Sequence, residues 1–525
     1  MAKKPTPVRR KQAGKQTKGQ IFGRATIQFR PKSAAKTGSG RVTAAPLAAA
    51  PPQAGIFVWA DDPRSANASP IVRPIPNPNA WALKVTTQGG GINPGIYQPG
   101  TPEFRYWTAQ EALYRCIAFW SPLLPPGARW FTGATLPVVL NAGTQLNAYY
   151  DRMNLNFFQD TVGGKVVYSG ESPDIVCHEM GHAILDILKP ELFNTNLVEV
   201  AAFHESFADI SALLSALQLP SFCAAVLAET GGNLGNSSRL SRIGEELGWA
   251  INQRRPDLAS PDYLRNAVNA YFYMSPVSLA TSGPDSSLNA EPHNFSRVFT
   301  GGFFDALVEM ITQTKNPPDV AAVQSAALDA ARLLVVGVQA AAVTGDFYFQ
   351  VASAMIAADA TPGPNSGKYD TALRGAFVRR GILPVASLTV VGTRPAATPV
   401  AARAAFASAA SVAVAAAPAA APTSSLQELP AQQFGFFRGT LTVEAATSCA
   451  QVAATPTFAA VSRGDSDEQM TRFITYLFQR GRVELDEPSK TKSRLGFSQA
   501  RKTHTVTMEN GRMVLRRKCF DCGFD

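Results

Sequence analysis

Apolar side chains recur at three- and four-residue intervals through much of the chain, and this spacing predicts helices. The helical segments are 203–217, 241–253, 299–313, 320–338 and 347–358. Upstream, to about residue 170, short runs rich in β-branched and aromatic residues predict strands instead, at 136–142, 146–151 and 165–170. Strands followed by helices are typical of an α+β domain.

Composition divides the chain into four parts. Residues 1–54 are basic and then rich in Ala and Pro, which predicts a disordered tail. Residues 55–385 form the α+β domain, β-rich to about 170 and helical after it. An Ala/Pro-rich linker is expected over 386–432. Residues 433–525 mix strand and helix patterns and predict a small α/β module.

The charge of the chain belongs to its tail. The net charge is +10, but the first 60 residues hold twelve Lys or Arg and no acid, so the remainder is near −2. The body therefore has no basic surplus for nucleic-acid binding. The tail itself leaves contact with an anionic surface or a nucleic acid open.

The start of the chain carries no apolar segment of the kind found in secretory signals, and no apolar run is long enough to predict a membrane span. We therefore expect a cytoplasmic or unconventionally exported protein, although a transit peptide stays open. The six cysteines are too sparse for a disulfide scaffold. The pair Cys519 and Cys522 is compatible with a metal site, a redox pair, a disulfide or an inhibitory thiolate.

The sequence HEMGH places His178 and His182 four residues apart. On a helix this spacing puts both imidazoles on one face, where they can reach one tetrahedral zinc ion. Glu179 then lies beside the metal without being a ligand and can act as general base toward a water molecule. Core histidines would be the ordinary interpretation of a histidine pair alone.

A catalytic zinc needs a third protein ligand. Glu205 is the favoured candidate, because Asp209 follows one helical turn later and can hold the free nitrogen of a ligand imidazole. Glu199 is the competitor, but it is followed four residues later by Phe203. His204 is more simply a partly buried or surface neighbour. With Glu179, Glu205 and Asp209 present, a metal site is favoured over a helix with core histidines.

HEMGH followed by HESFAD resembles the zinc pattern of the thermolysin-like metallopeptidases, or gluzincins, and the similarity extends over about residues 100–385. The resemblance implies a zincin-type fold, with a β-rich N-terminal part and an all-helical C-terminal part. It implies that Asn147, Ala148 and Tyr149 lie on an edge strand that binds an extended peptide. It also implies that His293 donates a hydrogen bond to the developing oxyanion.

The sequence departs from the family pattern in two respects. No tyrosine lies between His182 and Glu205, where relatives carry a second oxyanion donor; Phe193 is the nearest aromatic residue. The acidic cluster that binds calcium in many relatives is not evident after Asp209, so calcium is left open.

Three hypotheses follow. The leading one is a zinc-dependent endopeptidase that hydrolyses protein or peptide substrates. The alternative is a catalytically impaired zinc-binding scaffold or binding protein that retains the peptidase fold. In the third, the basic tail and the C-terminal module deliver the chain to a surface or a nucleic acid.

Overall fold

The computed structural model of the protein describes residues 55–362, 366–387, 425–436, 438–445, 463–485 and 501–523. These all belong to one compact unit, Gln53–Asp525. The predicted tail 1–54 and the stretch 388–424 of the predicted linker lie outside the described residues.

The described elements alternate strands with helices in the first part of the chain and are mainly helical in the middle. The helices are α1 Pro102–Trp120, α2 Pro173–Leu188, α3 Val198–Ala216, α4 Pro220–Thr230, α5 Glu245–Arg254, α6 Pro292–Thr314, α7 Val320–Ala340, α8 Phe347–Asp359, α9 Asp370–Arg379 and α10 Arg463–Gln479. The strands are β1 Gly55–Val58, β2 Ile71–Pro74, β3 Lys84–Thr87, β4 Thr135–Val139, β5 Ala148–Tyr150, β6 Leu155–Phe157, β7 Gln159–Val162, β8 Lys165–Tyr168, β9 Arg242–Ile243, β10 Arg265–Asn266, β11 Ser425–Pro430, β12 Thr440–Ala445, β13 Val483–Leu485, β14 His504–Glu509, β15 Arg512–Arg517 and β16 Phe520–Asp521.

One five-stranded sheet lies beside the HEMGH helix, in the order β16-β5-β6-β4-β3. Strands β3, β4 and β6 run parallel, whereas β5 is antiparallel to β6 and β16 is antiparallel to β5. Its outer strand therefore comes from the far end of the chain, 370 residues after β5.

Helix α2 is packed against α3 at very short range. A Cβ atom at Gly181 would lie 2.7 Å from the Ala208 Cα and 2.8 Å from the Ser211 Cβ, so only glycine fits there. The aromatic side chains of Phe203, Phe207 and Phe299 fill the adjoining core without solvent exposure. This close packing is what brings the side chains of α2 and α3 to one site.

The C-terminal residues form a second five-stranded sheet, in the order β11-β12-β15-β14-β13, together with α10. They are packed on the rest of the unit: the Gln469 side chain donates to the Gly345 carbonyl at 2.8 Å, and Arg517 donates to the Phe193 carbonyl at 2.9 Å. The predicted linker 386–432 extends too far, because Ser425–Pro430 pairs with β12. As an edge strand, β11 tolerates a proline at its end.

The mixture of helices and strands confirms the α+β class. Two details differ from the sequence prediction. Helix α1 lies inside the part predicted as strands; it is capped by Thr101 and is buried on most sides, which weakens the apolar periodicity. The part predicted as all-helical contains the short strand pair β9–β10.

Among the described helices, α7 has the length and composition to cross a membrane, and the bent pair α3–α4 passes the same test as one span. Half of the apolar window of α7 is buried inside the protein. Core helices of water-soluble proteins have the same character, so this is weak support for a span.

Candidate active site

The HEMGH motif lies in the middle of α2, as predicted. The Ser172 side chain caps the helix by accepting from the Ile175 amide, and Pro173 occupies the first turn, where its missing N–H costs nothing. His178, Glu179 and His182 are all completely buried. Titratable side chains in such a place need partners or an ion.

His178, His182 and Glu205 have the spacing of ligands around one small ion. His178 Nε2 lies 3.4 Å from Glu205 Oε2, and His182 Nε2 lies 3.8 Å from Glu205 Oε1. Donor atoms about 2.1 Å from a tetrahedral zinc lie roughly 3.4 Å from one another. Both Nε2 atoms and Glu205 Oε2 are buried without a hydrogen bond among the described residues. The three side chains therefore fit a zinc ion, which would satisfy all of these atoms.

Asp209 holds the other nitrogen of His178. Its Oδ1 lies 2.9 Å from His178 Nδ1, and Arg265 donates to both carboxylate oxygens at 2.8–3.0 Å. Although burial opposes ionisation, Arg265 and His178 hold the pKa of Asp209 below its ordinary value. An ionised Asp209 fixes the proton of His178 on Nδ1, which leaves Nε2 directed at the metal position.

His204 has a comparable place beside His182, contrary to the prediction of a partly buried or surface residue. It is completely buried, and its Nδ1 lies 3.4 Å from His182 Nδ1. Burial holds the pKa of His182 well below its ordinary value, so the ring is neutral. With its proton on Nδ1, directed at His204, His182 presents a bare Nε2 to the metal position.

Glu179 lies beside the three candidate ligands and is not one of them. Burial raises the pKa of Glu179 to about 8. Its Oε1 accepts from the Cys522 thiol at 2.9 Å, and its Oε2 has no hydrogen bond among the described residues. This is the position that the sequence predicted for a general base.

His293, at the start of α6, also reaches the site. Its Nε2 lies 3.6 Å from Glu205 Oε2 and donates to the Asp521 carbonyl, and its Nδ1 lies 2.7 Å from Glu291. Burial alone would lower the pKa of His293, but the charges of Glu205 and Glu291 raise it to about 10. A charged imidazole is a strong donor to a carbonyl oxygen.

Asn147, Ala148 and Tyr149 lie on and just before β5. β5 is not the edge strand that was predicted, because β16 pairs with it, with Tyr150 opposite Phe520 and Tyr149 opposite Asp521. The Asn147 side chain accepts from the Gly523 amide at 2.6 Å.

Glu199, the competing third ligand, lies elsewhere. It accepts from the Tyr273 hydroxyl at 2.5 Å and from the Tyr348 amide at 3.0 Å. Burial raises the pKa of Glu199 to about 8. Of these two glutamates of α3, Glu205 is the one grouped with both histidines, at 3.4 Å from His178 and 3.8 Å from His182.

Sequence reasoning missed Arg265, whose Nη1 is buried without a hydrogen bond among the described residues. No local pattern identifies it, because its partner Asp209 is 56 residues away. Of Asp285 and Glu291, two acids that precede His293 in the sequence, Glu291 is its partner. Asp285 instead pairs with Arg297 at 2.8 Å.

The cysteines form no disulfide within the described part of the chain, where Cys116, Cys177, Cys223, Cys519 and Cys522 are all free and buried. Of the alternatives left open for Cys519 and Cys522, a disulfide between them is therefore wrong, and Cys522 is the one that contacts Glu179. Its sulfur, His178 and Glu179 offer donor atoms that all lie within 4.8 Å of one another.

An acidic cluster lies at the N-terminal end of α2, around Asp62 and Glu246, and no local pattern predicts it. Burial and the charge of Glu246 raise the pKa of Asp62 to about 8. Protein cations already pair with its members: Lys165 lies 2.5 Å from Glu246, and Arg239 lies 3.4 Å from Asp61. The cluster therefore carries no argument for calcium.

A cleft of about 1170 Å³ leads to the site from solvent. Its lining includes the buried Asn147 and His293, together with Gly523 and the exposed Arg254 and Arg480. The cleft volume is large enough for several residues of an extended peptide.

No protein-family model matches the chain, and neither does any curated protein. Among solved structures, the chain is similar to the precursor of protealysin, a metalloproteinase from Serratia proteamaculans. The TM-score is 0.37 and the sequence identity is 14%, over 58% of this chain and 89% of that one. A similarity this low carries no argument, so the functional case rests on the site itself.

Proposed function

We propose that the protein is a zinc-dependent endopeptidase of the thermolysin-like type, with His178, His182 and Glu205 as metal ligands. The observation that carries this proposal is the set of three buried donor atoms, two of them 3.4 Å apart, that lack hydrogen bonds among the described residues. Burying such groups without a partner is costly, and a cation removes that cost.

Zinc, when bound, would act as a Lewis acid toward a water molecule and the substrate carbonyl. Glu179 takes the proton of the attacking water at its carboxylate and returns it to the leaving amine nitrogen. Asp209 keeps His178 in the tautomer that a ligand requires.

The substrate would be held as an added strand on β5. Asn147 and the Ala148 carbonyl accept from its amides, and His293 donates to the oxygen on which negative charge develops. This arrangement recognises main-chain atoms, which supports a protein or peptide as substrate.

The test measures zinc content and cleavage of a peptide library together. Because Cys522 contacts Glu179, the assay compares the parent chain with Cys522→Ser, each with and without Glu179→Gln. We expect about one zinc per chain in all four, and chelator-sensitive cleavage that Glu179→Gln lowers by about 100-fold or more. Glu199→Gln is the matched control, since it changes a buried glutamate of α3 outside the site. Equal cleavage with Glu179→Gln would refute the assigned base.

One observation favours the impaired scaffold as a second candidate. Residues 183–204 contain no tyrosine. Phe193, which has no hydroxyl, packs against Phe520 with the two ring centroids 5.5 Å apart. Loss of one oxyanion donor lowers a rate by about 100-fold. Stoichiometric zinc with no cleavage by either the parent or Cys522→Ser would support this candidate over the endopeptidase.

A further inference from the structure

The last residues of the described chain follow the path expected for a substrate. Strand β16 adds to β5 in antiparallel register, and the Cys522 amide donates to the Ala148 carbonyl at 2.9 Å. The Gly523 amide donates to Asn147, and His293 donates to the Asp521 carbonyl. Every main-chain partner proposed for a substrate is therefore engaged by residues 520–523, which we call the C-terminal segment.

The side chains of this segment are fitted to the cleft. The Phe520 ring stacks on His204 with centroids 3.9 Å apart and an interplanar angle of 18°. The Asp521 carboxylate pairs with the buried Arg482 at 3.1 Å. A Cβ at Gly523 would lie 2.5 Å from the Asn147 Cγ, so glycine is required for this approach.

The thiol of Cys522 takes the hydrogen-bonding place on Glu179 that the attacking water would need. Cys522 is completely buried, and its sulfur lies 2.9 Å from Glu179 Oε1 and within 4.8 Å of a ring nitrogen of His178. Thiolate sulfur is among the preferred zinc ligands, and a catalytic zinc has one position open beside its three protein ligands.

We propose that Cys522 is the fourth ligand of the metal centre and that the C-terminal segment is a built-in inhibitor holding the protein latent. This inference rests on the proposed metal site. With a metal ion bound, the Cys522 thiol would pass its proton to its hydrogen-bond acceptor, Glu179 Oε1, and its thiolate would hold the metal, with no change of oxidation state. Sulfur at that position excludes water, and the paired β5 edge excludes substrate. Activity then requires displacement or removal of the segment.

The test uses the full-length chain loaded with cobalt(II) in place of zinc, because a cobalt–thiolate bond gives a near-ultraviolet charge-transfer band. The variants are Cys522→Ser, Gly523→Ala and, as matched control, Cys519→Ser, which changes a buried thiol three residues away. Gly523→Ala keeps the thiol but crowds Asn147, so it tests the segment even if Cys522→Ser folds poorly. Iodoacetamide labelling mapped by mass spectrometry reports thiol accessibility without any activity.

We expect the band in the parent and in Cys519→Ser, and its loss in Cys522→Ser at an unchanged cobalt content. Gly523→Ala should expose Cys522 to labelling. A tethered segment acts at an effective concentration of about millimolar, so Cys522→Ser and Gly523→Ala should raise peptide cleavage by about tenfold or more.

Two results separate this inference from the proposed function. A cobalt-loaded parent without the band, cleaving as fast as Cys522→Ser, would overturn the inhibitory segment and leave the endopeptidase standing. A band that depends on Cys522, with no cleavage by any variant, would support the fourth ligand and overturn the endopeptidase.

Discussion

Asp209→Asn tests how the site holds its first ligand. The carboxylate is completely buried, 2.9 Å from His178 Nδ1, and receives three short contacts from Arg265. The amide keeps the size of the side chain but removes its charge. Arg265 is then left buried without its counterion, and His178 loses the charged acceptor that fixes its tautomer.

Two different losses are expected. Breaking a buried ion pair by removing one partner destabilises a protein by about 3–5 kcal/mol. Losing the partner of a ligand imidazole weakens metal binding by about 10–100-fold, which corresponds to about 1.4–2.7 kcal/mol. The double variant Asp209→Asn with Arg265→Met removes both charges, so no unpaired charge stays buried and much of the stability should return. Zinc affinity should not return, because His178 still lacks its carboxylate partner.

Urea unfolding of the metal-free protein measures the first loss, and zinc competition against a chromophoric chelator measures the second. Asp186→Asn is the matched control: it breaks a buried pair with Arg152, 2.6 Å long, on the same helix α2, and the contacts of Asp186 are with Tyr150 and Arg152 rather than with a metal ligand. It should lower stability and leave zinc affinity unchanged. The reasoning fails if zinc affinity returns with stability in the double variant, or if Asp186→Asn weakens zinc binding equally.

The remaining predictions concern packing, pH and the tail. Gly181→Ala should destabilise the fold by about 1–3 kcal/mol and weaken zinc binding, because its Cβ would push α3 away from α2; unchanged unfolding in urea would contradict this. Glu199 has a pKa raised by burial from 4.5 to about 8, so its contribution to stability is full below pH 4.5 and is lost as the pH rises toward 8. The free energy of unfolding should fall by up to about 1.4 kcal/mol per pH unit in that window, and Glu199→Gln should flatten the fall; a parallel profile would refute the assignment. Deleting residues 1–50 should abolish any salt-sensitive retention on heparin or nucleic acid, and unchanged retention would end the tail hypothesis.

The sequence by itself determined the parts of the site that depend on helix geometry. His178 and His182 share a face because four residues make about one helical turn. The same periodicity predicted that Asp209, one turn after Glu205, could reach a ligand imidazole. It also predicted the helices α3, α6, α7 and α8, because a helix that packs on the core needs apolar residues at three- and four-residue spacing.

The tertiary structure decided everything that depends on which elements meet. Glu199 and Glu205 lie on one helix, and only the packing of α3 against α2 determines which of them faces the histidines. Arg265 reaches Asp209 across 56 residues, and Cys522 reaches Glu179 across 343. No local pattern encodes such contacts, because they depend on which distant parts of the chain pack together. Gly181 allows α2 to approach α3 closely, and the Phe520 ring stacks on His204. A CxxC pair that looks ambiguous along the chain thus becomes, in the folded protein, one buried thiol that contacts Glu179 and a second buried thiol outside the candidate site.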